Sequence, residues 1–364
     1  MSTKFEYWDK LFKENNLQEF KKENPESIKW LKIKAISRKE LLSDFINFIG
    51  IKTNIKGNKG NSLFKLIYES AFSDDKINQF LKDKHLEKIG KLPVDDVKNE
   101  LYKLETYRWG GDQTNSLDKF IVKYYVKEFY KFEELESKLK TSILYTVSGY
   151  LYNSWYNQWS SYLIENLFCE HDSVIPASGK IKNVDFFINN TPVDLKVTYM
   201  PSEKIKEQWK RIYKDTTSEI SFLKSKANEL NITFDKKSNE TSIRGVILSQ
   251  MNDIAKSDTR AQQALSDYQD KIRDIFKNIK KDKKGLIKWL YENQGEMRFG
   301  AENRLFVVLY DNKNYAESWK LKRNITLLSP AINSFINNFK LIPIEFKFKG
   351  KNYKTNSNII FISN

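Results

Sequence analysis

The 364-residue chain is poor in the residues that build disulfides and most structural metal centres. It contains a single cysteine, Cys169, and only two histidines, His85 and His171. An intramolecular disulfide, a cysteine-based zinc site and a multi-histidine metal site are therefore excluded. The low cysteine content predicts a protein of a reducing compartment.

The sequence also lacks long apolar segments. No run approaches the roughly 18 residues that suggest a membrane-spanning helix. The first ten residues carry neither the basic region nor the apolar region of a secretory signal peptide. These absences predict a cytoplasmic protein.

Negative charge is the third shortage. The chain has 47 acidic residues against 62 lysines and arginines, which gives a formal net charge of +15 at pH 7. Such an excess favours a polyanionic partner, with nucleic acid first and an anionic membrane surface second. A lysine-rich bias of the whole proteome would produce the same excess without any partner.

The length exceeds what one hydrophobic core usually supports, so we expect more than one domain. Apolar residues at helical spacing predict a helical N-terminal region over residues 1–135. Residues 136–320 combine a helix, several strands and a charged helical insertion at about 214–300, and residues 321–364 add a helix and a β-hairpin that complete or flank the core. The predicted fold class is α/β (α+β), with a mixed central sheet flanked by helices.

Two short helices in the N-terminal region flank a loop rich in glycine, asparagine and lysine. This unit, from Leu41 to Ile67, resembles the SAP motif, a small helix-loop-helix module that binds DNA, in its leucine-bearing helix, Gly50, Lys59 and Leu63. The resemblance implies that the N-terminal region contacts DNA and that Lys59 takes part. An ordinary helical hairpin with a solvated loop is the alternative.

An aromatic-rich segment at residues 140–168 predicts a helix that enters the strand region. Leu151, Trp155 and Tyr162 are among the residues that can share one apolar stripe. We expect this stripe to pack on the sheet rather than to stack on bases. Glu165 lies near the end of the helix, just before the first strand.

The most informative segment consists of two short strands on either side of Asn189–Pro192. Both strands are rich in valine, isoleucine and phenylalanine, and the asparagine-rich segment between them predicts a β-hairpin. Because side chains alternate between faces with a period of two, Asp194 and Lys196 share one face of the second strand.

The register of this hairpin decides which charged groups meet. If Ile188 pairs with Val193, Asp185 lies opposite Lys196 and diagonal to Asp194, at separations of about 5 to 8 Å. Both strands otherwise have the composition of buried strands, so three ionisable groups on one face would be costly without a function. A solvated hairpin, whose charges face water, is the alternative.

Such a cluster suits the hydrolysis of a phosphodiester. Carboxylate oxygens bind Mg²⁺, which retains several waters and takes phosphate oxygens as further ligands. A neighbouring ammonium stabilises developing negative charge or helps to deprotonate the attacking water. Asp185 and Asp194 suit the ligand role and Lys196 the charge role, while Glu165 can add a carboxylate and permit a second metal ion.

These residues resemble the signature of the PD-(D/E)XK nuclease superfamily, which includes most type II restriction endonucleases. Its members place an acid on one strand, then an acid, any residue and a lysine on the next, often with a glutamate from a preceding helix. Asp185, the Asp194-x-Lys196 triplet and Glu165 occupy these positions, although Val184 stands where the family name has proline. The resemblance implies a restriction-endonuclease-like core, four catalytic residues and Mg²⁺ held by the three acids.

The function that this resemblance implies is Mg²⁺-dependent cleavage of double-stranded DNA. We predict a type II restriction endonuclease that cuts a specific sequence as a homodimer. A cognate DNA methyltransferase would belong to the same system without being a stable subunit, and no membrane is involved. The alternatives are an antiviral or repair nuclease within a larger complex and a non-catalytic DNA-binding protein with a structural hairpin.

Other basic and polar residues are candidates for contact with DNA. Two lysines flank the hairpin, and a polar cluster precedes an apolar strand that begins near residue 304. Arginine and glutamine can read guanine and adenine edges, but exposed lysines usually only solvate a surface and loop side chains often bond to each other. The candidates are Lys59, Lys180, Lys182, Gln294, Arg298 and Arg304.

Overall fold

The computed structural model describes residues 4–52, 60–102, 121–129, 132–181, 183–213, 218–293, 302–348 and 350–364, without the side chains of residues 178–181 and 348. The described chain forms a six-stranded mixed sheet flanked by helices, as predicted. It divides into two compact units, of which the first ends at Val193 and the second begins at Asp194. The domain boundaries predicted near residues 135 and 320 stay predictions.

Helices dominate the first unit, in agreement with the predicted helical N-terminal region. One 3₁₀ turn, Leu17–Glu19, and two π-helical segments, Val122–Val126 and Leu139–Ile143, accompany them. The α-helices are α1 (Lys4–Lys13), α2 (Pro25–Ala35), α3 (Lys39–Ile49), α4 (Gly60–Glu69), α5 (Asp74–Ile89), α6 (Val94–Leu101), α7 (Phe132–Lys138) and α8 (Leu144–Cys169).

The ends of two of these helices follow from their sequences. Asn24 accepts a hydrogen bond from the backbone N–H of Ser27 and precedes a proline, an arrangement that favours the start of α2. Helix α3 ends at Gly50, whose φ of 74° lies in the left-handed region that glycine adopts without steric cost. The helix-loop-helix predicted from Leu41 to Ile67 is present as α3 and α4, while residues 53–59 with Lys59 lie outside the described part.

The N-terminal helices share one hydrophobic core with the first two strands. Trp30 and Phe45 are fully buried in this core, which also contains Ile175 and Phe187 from the strand region. Burial of such large side chains contributes about 1.5–3 kcal/mol each. The helices therefore support the hairpin directly.

The predicted hairpin is present, but its turn is shorter than predicted. Strands β1 (Val174–Ile181), β2 (Val184–Ile188) and β3 (Thr191–Tyr199) are antiparallel neighbours. The turn between β2 and β3 consists of Asn189 and Asn190, both with positive φ, 46° and 62°. Two left-handed residues make the tight turn that best matches the twist of the strands, and asparagine tolerates that conformation.

This short turn changes the register. Phe186 pairs with Val193 and Ile188 with Thr191. The predicted pairing of Ile188 with Val193 is therefore wrong, as is the placement of Asp185 opposite Lys196 that depended on it. The error arose because Thr191 and Pro192 were assigned to the turn, whereas both belong to β3.

The second unit contains the rest of β3 and three further strands. Strand β4 (Arg304–Tyr310) runs parallel to β3, β6 (Lys351–Ser363) runs parallel to β4, and β5 (Ile342–Phe348) lies antiparallel to β6. The order across the sheet is β1-β2-β3-β4-β6-β5. All seven residues of β4 are buried, as its continuous apolar run predicts, and β5 and β6 form the expected terminal hairpin.

Helices fill the remainder of the second unit, including the predicted insertion. Helix α9 begins at Ser202, directly after Pro201 at the cap position. A 3₁₀ helix spans Tyr315–Arg323. The α-helices are α9 (Ser202–Ile212), α10 (Glu219–Glu229), α11 (Glu240–Ile254), α12 (Thr259–Lys281), α13 (Lys283–Asn293) and α14 (Ile325–Asn337).

In the described part of the chain, no helix combines the length and the apolar character needed to cross a bilayer.

Candidate functional site

Helix α8 carries Glu165 towards the strands, but it does not bury the predicted stripe. Leu151 is 56% exposed and Trp155 36% exposed, whereas Tyr156 is fully buried and Leu163 nearly so. The prediction failed because aromatic and aliphatic side chains occur on every face of this helix, so their periodicity does not single out one of them. The buried face is the one that also contains Ser160, whose hydroxyl donates to the Tyr156 carbonyl at 2.5 Å.

The structure brings Glu165 and Asp185 close enough to influence each other. Burial, the largest cause, and the charge of Asp185 together raise the pKa of the Glu165 carboxyl to about 7, although Lys88 acts in the opposite direction. The two carboxylates therefore repel each other when both are ionised. The prediction that α8 delivers Glu165 as a further catalytic carboxylate stays a prediction.

A groove of about 520 Å³ runs along α8 and ends at Glu165. Its walls carry hydroxyl and amide groups, which can donate and accept hydrogen bonds. The ammonium of Lys88 lies 4.6 Å from the ring centroid of Tyr162. The lining residues are Tyr150, Ser154, Asn157, Gln158, Ser161, Tyr162 and Glu165.

Sequence reasoning missed most of this groove. Its polar members recur every three or four residues within the aromatic helix, which is the spacing of one helical face. That recurrence was the signal available in the sequence, and it was hidden by the more conspicuous aromatic residues.

The second unit contains Asp194 and Lys196, which share a face as predicted. The Lys196 ammonium donates a hydrogen bond to Asp194 Oδ1 at 2.9 Å. Asp194 is 3% exposed, whereas the side chain of Lys196 is 49% exposed. The pair therefore joins a buried carboxylate to an ammonium that solvent, and hence a dissolved substrate, can reach.

Arg304 occupies the other side of the same carboxylate. It lies directly across the β3–β4 ladder from Asp194, and its Nε donates to Asp194 Oδ2 at 2.6 Å. Its Nη2 donates to Glu302 Oε1, also at 2.6 Å. Burial disfavours the charged guanidinium and is the largest single cause acting on its pKa. The negative charges of Asp194 and Glu302 favour the charged form and together exceed the effect of burial, so the pKa of Arg304 is raised.

The predicted contact between Arg304 and DNA is not supported by this position. Arg304 is a buried residue whose guanidinium carbon lies 5.3 Å from the ring centroid of Tyr291. In the sequence, Arg304 ends a polar cluster and begins an apolar strand, so a surface position was expected. In the structure it pairs with Asp194, which lies more than a hundred positions away in the sequence.

The carboxylates in each unit are of the chemical type that binds a hard divalent cation. Glu165 and Asp185 supply carboxylate oxygens, the ligands that Mg²⁺ prefers, in the first unit, and Asp194 supplies them in the second. The mutual repulsion of Glu165 and Asp185 is what a bound cation would relieve. Within the described ranges, no three histidine, cysteine, aspartate or glutamate side chains are already grouped as ligands of one ion.

A second buried carboxylate, Glu219, lies in the helical insertion. Arg244 donates to both of its oxygens, at 2.8 and 3.0 Å. The hydroxyls of Tyr268 and Tyr315 donate to Oε1 as well, each at 2.9 Å. These bonds join α10, α11 and α12 to the 3₁₀ helix, which makes this a structural cluster.

The other candidate DNA contacts are not described. Lys59, Lys182, Gln294 and Arg298 lie outside the described residues, as does the side chain of Lys180. Their proposed roles stay predictions.

Comparison with known proteins does not assign the chain to a family. It matches no family model, no curated protein and no solved structure.

Proposed function

We propose that the protein is a Mg²⁺-dependent endodeoxyribonuclease that hydrolyses phosphodiester bonds of double-stranded DNA. Its catalytic residues would be Glu165, Asp185, Asp194 and Lys196. The observation that supports this proposal best is the 2.9 Å contact between the exposed Lys196 ammonium and the buried Asp194 carboxylate. Such a pair supplies a metal ligand and a flexible cation two positions apart on one strand.

Each of the two aspartates lies next to a residue of the Phe186–Val193 pair, which is farthest from the turn in the β2–β3 ladder. Asp185 immediately precedes Phe186, Asp194 immediately follows Val193, and Phe186 and Val193 are paired residues. A two-residue turn fixes a register firmly, because a slip would move every side chain to the other face. Both aspartates stay in the proposed set of catalytic residues, although Ile188 pairs with Thr191 and not, as predicted, with Val193.

Each residue has a distinct role in the proposed reaction. Glu165, Asp185 and Asp194 would hold Mg²⁺, which neutralises charge on the scissile phosphate and provides a bound water of lowered pKa. Lys196 Nζ, already oriented by Asp194 Oδ1, would donate a hydrogen bond to a phosphate oxygen as negative charge develops there. Glu165 would have to lose its proton before it could bind the cation, and its pKa of about 7 places that step near neutral pH.

The groove along α8 is the proposed path for the DNA beside the site. It ends at Glu165, and its hydroxyl and amide groups suit contacts with sugar, phosphate and base edges. Lys88 adds a positive charge near its Tyr162 wall, and the whole chain has a formal charge of +15.

A type II restriction endonuclease is the specific form of this proposal. The order of elements, α8 followed by β1, β2 and β3, then by α9 and β4, agrees with what the resemblance implies: a helix before the catalytic hairpin, and helices and strands after it. In such a system the enzyme would act as a homodimer, since two active sites are needed to cut both strands of a palindrome. A separate methyltransferase would protect the host DNA.

A digestion experiment tests the proposal. DNA of mixed sequence is incubated with Mg²⁺ and the wild-type protein, Asp194→Asn or Lys196→Ala, and the fragment ends are sequenced. Lys206→Ala is the matched control, because Lys206 is also about half exposed, 50%, and bonded to an acid, Glu240.

The fragment pattern distinguishes the possible functions. Discrete fragments that both site variants abolish and the control retains would support a restriction endonuclease. Nicking or random fragments would favour an antiviral or repair nuclease. Tight, salt-sensitive binding without cleavage in any divalent cation would refute the enzymatic proposal.

A further inference from the structure

Asp194 differs from a typical bridging metal ligand because both of its oxygens already have cationic partners. Oδ1 accepts from the Lys196 ammonium at 2.9 Å, and Oδ2 accepts from Arg304 Nε at 2.6 Å. The two partners are not equivalent. Lys196 is half exposed and has a flexible stem, whereas Arg304 is buried and planar.

Several contacts hold Arg304 in this orientation. Its Nη2 donates to Glu302 Oε1 at 2.6 Å, and its own carbonyl accepts from the Ser357 hydroxyl at 2.6 Å. The backbone carbonyl of Glu302 accepts from Tyr291 at 3.1 Å and from Thr355 at 2.5 Å. The guanidinium therefore cannot move away from Oδ2 without breaking a buried network of hydrogen bonds.

This arrangement limits how Asp194 can bind metal ions. A carboxylate oxygen has two lone pairs, so Oδ1 can accept from Lys196 and still bind a cation. Two-metal sites place their ions about 3.5–4 Å apart. A carboxylate that binds both ions through separate oxygens must have each oxygen open to one of them. Oδ2 faces a fixed positive charge, which repels a second cation at that oxygen.

We infer that Arg304 is a positioning residue that makes Asp194 a ligand of one metal ion, bound through Oδ1, and that prevents Asp194 from bridging two ions. The inference rests on the proposed function, and it assigns to Arg304 an effect on metal number instead of a contact with DNA. In this role the guanidinium takes the place that a second cation would have at Oδ2.

Mn²⁺ binding to the intact protein tests the inference without relying on cleavage. The number of ions per chain and their affinity are measured by calorimetry and by electron paramagnetic resonance for the wild type, Asp194→Asn, Arg304→Gln and Arg304→Lys. We expect the wild type to bind one ion through Asp194. Arg304→Gln removes the repelling charge and is expected to bind a second ion, or to bind the first about tenfold more tightly.

Two variants separate this role from a structural one. Arg304→Lys keeps the charge and should keep the wild-type number of ions, even if it lowers stability. Arg244→Gln removes an equally buried arginine from Glu219, which lies outside the proposed site, and should leave Mn²⁺ binding unchanged. If Arg304→Gln does not fold, Arg304→Lys and the comparison of wild type with Asp194→Asn still give the number of ions that Asp194 binds.

The outcomes that overturn the inference differ from those that overturn the nuclease proposal. Two ions in the wild type, both lost in Asp194→Asn, would refute the inference and leave the nuclease proposal intact. The inference would also be refuted, with the nuclease proposal intact, if Arg304→Gln bound Mn²⁺ as the wild type does. The same holds if the wild type cleaved DNA but bound no Mn²⁺ in the millimolar range. A wild type that neither binds Mn²⁺ nor cleaves DNA would refute both.

Discussion

Replacing Glu165 with glutamine should stabilise the protein at alkaline pH and leave its stability at acidic pH nearly unchanged. Glutamine has the shape of the protonated carboxyl but cannot ionise. Burial is the larger cause of the raised pKa of Glu165, and the charge of Asp185 is the next. Both penalise only the ionised form, so the variant should gain stability only where the wild-type carboxyl is charged.

The gain in stability expected for Glu165→Gln follows from the raised pKa of Glu165. A rise from an ordinary value of 4.5 to about 7 corresponds to about 3 kcal/mol, because each pKa unit is worth about 1.4 kcal/mol. The folded state binds the proton more tightly than the unfolded state does, so the stabilisation by protonated Glu165 is complete below about pH 4.5. It is lost as the pH rises to about 7.

Urea unfolding at pH values from 5 to 8.5 measures this difference. The free energy of unfolding of the wild type should fall by up to about 3 kcal/mol relative to Glu165→Gln over this range. Glu133→Gln, which alters an exposed glutamate, is the control and should follow the wild type. Mg²⁺ should restore part of the lost stability to the wild type but not to Glu165→Gln, because only an ionised carboxylate binds it well.

One result would refute this reasoning about Glu165. If Glu165→Gln differed from the wild type by the same free energy at pH 5 and at pH 8, the carboxyl would not be titrating in this range. The predicted coupling between Glu165 and Asp185 would then be wrong, and the case for a shared cation would lose its main support in the first unit.

Three further outcomes are expected. Tyr156→Ala should lower the free energy of unfolding by about 3–5 kcal/mol, because Tyr156 is fully buried. Leu151→Ala should change it by no more than about 0.5 kcal/mol, because Leu151 is 56% exposed, and urea unfolding measures both values. Arg244→Met should lower stability by about 3–5 kcal/mol by leaving Glu219 buried without its cation, while the folded fraction keeps the wild-type cleavage rate. The cleavage rate at subsaturating Mg²⁺ should increase with pH up to about 7 and then level off, and a flat profile would argue against Glu165 as a ligand.

The local features of the site could be predicted from the sequence. The hairpin and the shared face of Asp194 and Lys196 depend on alternation within one strand, which a short segment determines. The register could not be predicted in the same way, because it depends on the φ angles of Asn189 and Asn190. A longer turn would have been compatible with the same residues.

The features that were missed depend on contacts between distant segments. Arg304 was predicted to face DNA because its partner, Asp194, is brought to it only by the parallel pairing of β3 with β4. The buried face of α8 was mispredicted because that helix has apolar side chains all around it, and only the packed structure shows that Tyr156 points inwards. In both cases tertiary packing determines which side chains are buried, and the local sequence pattern does not.

The central claim, that Asp194 and Lys196 act in hydrolysis of DNA, is tested most directly by a single-turnover cleavage rate. A defined DNA fragment that carries the site found by end sequencing is mixed with excess protein and Mg²⁺, and the rates of wild type, Lys196→Ala and Lys206→Ala are compared at equal folded concentration. Loss of a group that stabilises charge in the transition state lowers such rates by about 100-fold or more. We expect that loss for Lys196→Ala alone, and a wild-type rate in Lys196→Ala would contradict the proposed role of Lys196.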